Sequence, residues 1–95
     1  MTDDVPAEVQ KLAAKMASEY VQSEYEIARA LAQAGSPLTL EELVEETGYT
    51  DRTVEKRLGT LEDRLGGEPL ITRDGEGNPK LHPILAQAIK NRADD

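Results

Sequence analysis

The 95-residue chain contains no cysteine, tryptophan or phenylalanine, and its aromatic content is three tyrosines. Without cysteine there is no disulfide framework, no thiolate metal site and no cysteine nucleophile. Long apolar runs are missing as well. No stretch approaches the length of a membrane span, and the N-terminus lacks the basic-then-apolar order of a signal peptide. A soluble, cytoplasmic protein is therefore expected. Positive charge is scarce: 11 Lys and Arg stand against 19 Asp and Glu, a formal charge of −8. Taken whole, that balance argues against nucleic acid, because neutralising phosphates needs an excess of Lys and Arg. The length is enough for one small domain, expected over 1–95.

The charge is unevenly spread. Residues 1–48 hold three basic and ten acidic side chains, a net −7. Residues 49–92 hold eight basic and seven acidic ones, a net +1. The acidity is almost entirely N-terminal, so a polyanionic partner has to meet the second half.

The apolar residues repeat at helical spacing. Val5, Val9, Leu12, Met16 and Tyr20 form one stripe, with Pro6 suited to a first turn. Ser23 and Glu26 have capping-box spacing and open onto Ile27, Ala28 and Leu31. The pattern fits two helices with a junction near Gln22–Ser23, and equally one helix through Ala34. Gly35-Ser36-Pro37 stops it either way. Thr39-Leu40-Glu41-Glu42 is another capping box, leading into Leu43 and Val44 and stopped at Gly48. Thr50 or Asp51 caps the next helix, which carries Val54, Leu58, Leu61 and Leu65 and stops at Gly66-Gly67. Residues 69–73 read as a short strand, 74–78 as a turn, and 80–82 as the returning strand, with Pro79 and Pro83 marking an edge. A last helix follows through Ile84, Leu85, Ala88 and Ile89.

Two helices joined by Gly48-Tyr49-Thr50, the second with a capped start, have the form of a helix-turn-helix. The hairpin directly afterwards completes a winged helix-turn-helix plan. The expected fold is mostly α with a small β-hairpin: an N-terminal helix extension over 6–22, a three-helix core plus two-stranded wing over 23–82, and a C-terminal helix over 83–93. In the third core helix the four apolar side chains fall within about 60° of one another and point inward. Arg52, Lys56, Gly59, Thr60 and Asp63 lie opposite, with Thr53 and Arg57 on a flank. Basic and hydroxyl side chains near a recognition-helix start suit base edges and phosphates in the major groove. Arg52, Thr53, Lys56, Arg57 and Thr60 are thus expected in the groove. Arg73 and Lys80, across the wing turn, are expected on the DNA backbone.

The run Thr53–Gly66 followed by Pro69-Leu70-Ile71-Thr72-Arg73 resembles the DNA-binding half of LysR-type regulators. Leu61, Glu62, Leu65, Gly66, Pro69, Leu70 and Arg73 match that family's pattern, and the resemblance covers roughly residues 27–85. Glu68 is an extra residue before Pro69, and Asp51-Arg52-Thr53 replaces the usual Ser-Gln-Pro helix start. The chain adds an N-terminal helix and holds no effector-binding domain. The resemblance implies the fold, duplex-DNA binding and a homodimer acting in transcription regulation. The acid-rich, lysine-poor, cysteine-free composition looks like that of proteins from extreme halophiles, the haloarchaea among them.

Other residues receive plainer readings. The stripe from Val5 to Tyr20 either folds onto its own core or pairs with a second chain, and the last helix offers the same choice. Tyr20 and Tyr25 suit helix–helix packing. Tyr49 lies under the recognition helix or faces a phosphate. His82 is the single histidine and suits a structural place beside the wing. No enzyme is expected: Ser18, Ser23 and Ser36 have no histidine in register, and Gly75-Glu76-Gly77 lacks the following helix and lysine of a phosphate loop. Glu41, Glu42, Glu45 and Glu46 read as a solvated acidic face, so neither metal nor cofactor is expected. The alternative to DNA binding is a winged-helix protein-interaction module that docks a partner on that acidic half.

Overall fold

A computed structural model describes residues 7–63 and 71–93, with the side chains of Asp63 and Ala93 left aside. The elements run α1 (Ala7–Glu19), α2 (Gln22–Ala34), α3 (Leu40–Thr47), α4 (Asp51–Asp63), β1 (Ile71–Arg73), β2 (Pro79–Leu81) and α5 (Pro83–Ala93). The chain is thus mostly helical with one small antiparallel hairpin. Val5, the residues 64–70 that carry much of the family-like run, and the Gly66-Gly67 stop fall outside the described residues.

The N-terminal stripe divides into two helices. A single straight helix over 7–34 would span about 42 Å at 1.5 Å per residue, whereas the longest extent of the fold is 35 Å. The break at Tyr20–Val21 lets both halves of the stripe reach one core. It comes earlier than the Ser23 signal suggests. Val21 is the N-cap and offers no side-chain cap. Ser23 sits inside α2 and is only 7% exposed, so the expected Ser23–Glu26 box does not form. Instead the Gln22 amide donates to Glu26 at 2.7 Å.

The other helix boundaries follow their local chemistry. Gly35 adopts a left-handed φ of 67° and ends α2. At α3 the Glu42 N–H donates to the Thr39 hydroxyl (3.1 Å) and the Thr39 N–H to the Glu42 carboxylate (2.8 Å), closing the capping box. Such a cap contributes about 1 kcal/mol. Gly48 ends α3 with a φ of 79° and donates to the Val44 carbonyl at 2.8 Å. A side chain there would strain the turn that aims α4. Thr50, not Asp51, caps α4: its hydroxyl accepts from the Thr53 N–H at 3.2 Å. His82 plays the same part for α5, its Nδ1 accepting from the Ile84 N–H at 3.2 Å, with Pro83 in the first helical position.

The hairpin pairs Ile71 with Leu81, Thr72 with Lys80 and Arg73 with Pro79. The returning strand begins one residue earlier than the 80–82 reading, because Pro79 needs no ladder donor at a strand's first position and His82 is taken by the helix cap. The Leu38 N–H donates to the Pro79 carbonyl at 3.1 Å and ties the loop before α3 to β2.

α2 is the centre of the fold, packing against α1, α3, α4, α5 and β2. It buries Ile27, Ala28, Leu31 and Ala32. Ala13 and Met16 of α1 and Leu85, Ala88 and Ile89 of α5 are buried in the same core. Of the two choices for these flanking helices, their main apolar faces thus cover the chain's own core. Among the described large apolar side chains, Val21 and Ile84 stay exposed, at 43% and 42%. No described helix is long and apolar enough to cross a membrane.

Candidate nucleic-acid interface

The turn Gly48–Thr50 presents the start of α4 on the surface. Arg52 and Lys56, one turn apart, are both exposed, as are Asp51, Glu55 and Gly59. Val54, Leu58 and Leu61 face the core as expected. Thr53 is half-buried, and its hydroxyl oxygen accepts from the Thr50 hydroxyl at 3.1 Å. Arg57 is also half-buried, and its Nε is enclosed without a hydrogen-bond partner among the described residues. Tyr49 in the turn donates its hydroxyl to Glu26 at 3.0 Å. The accepting carboxylate is the main cause that raises the Tyr49 pKa, followed by burial and the Glu26 charge. Tyr49 therefore braces the turn against α2.

Thr60 sits on the flank of α4 that faces α2. Its hydroxyl makes a short hydrogen bond to the Glu24 carboxylate and lies 3.0 Å from the Arg57 carbonyl. Glu24 is fully buried. A buried carboxylate is costly without donors, so the Thr60 hydroxyl is held in the α2–α4 seam rather than turned outward. Thr60→Val is accordingly expected to lower unfolding free energy by about 1–3 kcal/mol, the cost of removing a donor from a buried acceptor. Thermal melts of the two chains side by side would show it.

The two hairpin residues, Arg73 and Lys80, are also partly engaged. Arg73 donates to Glu62 of α4 at 2.8 Å and to the Gly77 carbonyl at 2.9 Å. That pair, with side chains 40% and 38% exposed, ties the hairpin to α4. Lys80 is half-buried on β2 and lines a cavity between α2, β2 and α5. The hairpin tip is organised by Asp74, whose carboxylate accepts from the Asn78 N–H (2.9 Å), the Glu76 N–H (2.9 Å) and the Asn78 amide (3.2 Å). The Asn78 N–H is the largest cause that lowers the Asp74 pKa, with burial opposing it and the Glu76 N–H and Asn78 amide adding to it. A depressed carboxyl pKa stabilises the fold above its unfolded value and loses that contribution as pH falls through the folded value. Asp74→Ala should therefore melt below the native chain at neutral pH, and the gap should close in acid.

Around these groups lie acidic grooves. Between α2 and α3 two adjoining cavities of about 230 and 290 Å³ share Ala30, Gln33 and Glu46. Glu26 and Arg29 line the first, and Glu42 and Glu45 the second. A cavity of about 380 Å³ separates α4 from the hairpin, with Leu40, Leu58 and Pro79 among its walls beside Glu55, Glu62 and Arg73. Among the described residues no group of three or more His, Asp or Glu side chains is placed to hold a metal ion.

Sequence reasoning missed Glu24, although a signal was present. Glu24 has the spacing of the α2 core stripe, three and four residues before Ile27 and Ala28. It missed the Glu62–Arg73 pair, whose partners are eleven residues apart on different elements. No family model matches the chain, and neither a curated protein nor a solved structure does so.

Proposed function

We propose that the chain is a winged helix-turn-helix protein that binds duplex DNA sequence-specifically and acts as a transcription regulator in the cytoplasm. In this reading α2, α3 and α4 are the three-helix core, β1 and β2 the wing, and α4 the recognition helix. The observation that carries it is the pair Arg52 and Lys56, exposed four residues apart at the capped start of α4. That is where a recognition helix reaches base edges and phosphates. Thr53 and Arg57 flank them. Arg73 reaches the backbone only by exchanging Glu62 for a phosphate. Two copies are proposed because two half-sites supply affinity that one small module lacks. Exposed Ile84 leaves apolar surface on α5 for that association, and exposed Val21 adds some at the α1–α2 junction.

Selection from a random pool of duplexes tests the reading. Enrichment of one shared motif is the expected result. A pool without any motif overturns sequence-specific binding. The acidic grooves between α2 and α3 favour a second reading in that event, an interaction module that docks a basic partner.

A further inference from the structure

One cavity among the described residues differs in lining from the three described above. It measures about 180 Å³ and lies between the end of α2, β2 and α5. Each of the three larger cavities has at least two carboxylates among its lining residues. This one has none, in a chain with 19 acidic residues. Its lining instead includes two lysines, Lys80 and Lys90. Neither makes a hydrogen bond or ion pair from its side chain among the described residues. The same lining includes the apolar residues Leu31, Leu81 and Ala86.

We propose that this cavity binds a small organic carboxylate. Its short apolar body rests against Leu31, Leu81 and Ala86, and its anionic group meets the ammonium groups of Lys80 and Lys90. Each part of the lining asks for one part of such a ligand. Lysine ammoniums donate charge-assisted hydrogen bonds to a carboxylate, stronger than bonds between neutral groups. An inorganic anion leaves the apolar walls uncovered, and a neutral apolar molecule makes no charge-assisted bond with the ammoniums. Gln87 at the edge offers a further polar group. The volume is below the roughly 300–1,000 Å³ of drug-sized sites, which restricts the ligand to a single ring or a short branched chain. The site is separate from the outward face of α4, so it stands whether or not the chain reads DNA.

Titration of the ¹⁵N-labelled full chain with benzoate, benzamide and acetate, followed by amide shifts, tests the proposal. Benzoate has the charge and a ring, benzamide keeps the ring without the charge, and acetate keeps the charge without the ring. Benzoate is expected to give saturable shifts at Ala32, Gly35, Leu81 and Ala86. Benzamide and acetate should each bind about tenfold more weakly or worse, the loss expected when either the charged or the apolar half of the ligand is missing. A Lys80→Gln/Lys90→Gln variant with native amide dispersion should weaken benzoate by a similar factor. The proposal is overturned if benzoate produces no saturable shifts there, if benzamide binds as well, or if the folded double variant binds benzoate unchanged. The benzamide comparison uses the native chain, so it decides the matter even if the variant does not fold.

Discussion

Replacing Arg52 and Lys56 together by alanine is expected to weaken DNA binding roughly thirtyfold or more, at 1–3 kcal/mol for each well-formed interaction with a base edge or phosphate. Melting should stay within about 0.5 kcal/mol of the native chain, as for surface positions without structural partners. The reasoning rests on exposure: both side chains point outward, and neither forms an ion pair among the described residues. Anisotropy on a selected duplex over a salt series separates base-edge from phosphate binding. If both residues meet phosphates, the slope of log affinity against log salt should fall by about two. If they meet base edges, the slope should hold while discrimination between duplexes collapses. A folded variant with native affinity, native slope and native discrimination removes α4 as the reading element. Thr60→Val is the complementary case, with stability lowered and affinity retained. The two variants together separate a side chain that faces a partner from one that holds the helix in place.

Much of the architecture was legible because local chemistry decides it. Thr39 and Glu42 close their box within four residues. Gly35 and Gly48 stop their helices with left-handed φ angles. Asp74 gathers the hairpin tip within five residues. Each of these needs only its own neighbours. The α1–α2 junction was half legible: a break near Gln22–Ser23 and one continuous helix fitted the pattern equally, because the residues on both sides continue one stripe. Nothing local stops the helix at Tyr20, and the break is seen only once both helices are packed on one core.

The candidate site divides along the same line. Periodicity separates the inner from the outer face of α4, which is why Val54, Leu58 and Leu61 are buried and Arg52 and Lys56 are exposed. It does not say which flank meets another helix. Thr60 lies away from the apolar stripe by helical angle, yet α2 brings the buried Glu24 against it. Arg73 reads as a free wing cation until Glu62, on a different element, is seen 2.8 Å away. Partners of this kind are set by packing between elements: spacing places Glu24 on the core stripe of α2, but it does not name Thr60 as its partner.

The same limit produces a sharp contrast between two isoleucines. Ile27 and Ile84 both belong to apolar helical patterns, and sequence treats them alike. Ile27 is fully buried on α2, while Ile84 is 42% exposed on α5. Ile27→Ala is expected to cost about 2–5 kcal/mol, combining reduced burial with a cavity that close packing cannot refill. Domains have only about 5–15 kcal/mol in total, and a chain this short sits toward the lower end. The melting temperature should therefore fall by roughly 10–30 °C, at about 4–8 °C per kcal/mol. Ile84→Ala should stay within about 0.5 kcal/mol at low protein concentration. The concentration series makes the comparison informative about assembly. If two copies associate through α5, native melting should rise with concentration, as mass action requires, and Ile84→Ala should flatten that rise. Melting of the native chain that is independent of concentration up to the range used for DNA binding removes α5 as a dimer interface. A large cost for Ile84→Ala at low concentration means that the side chain is covered within one copy, contrary to the fold described.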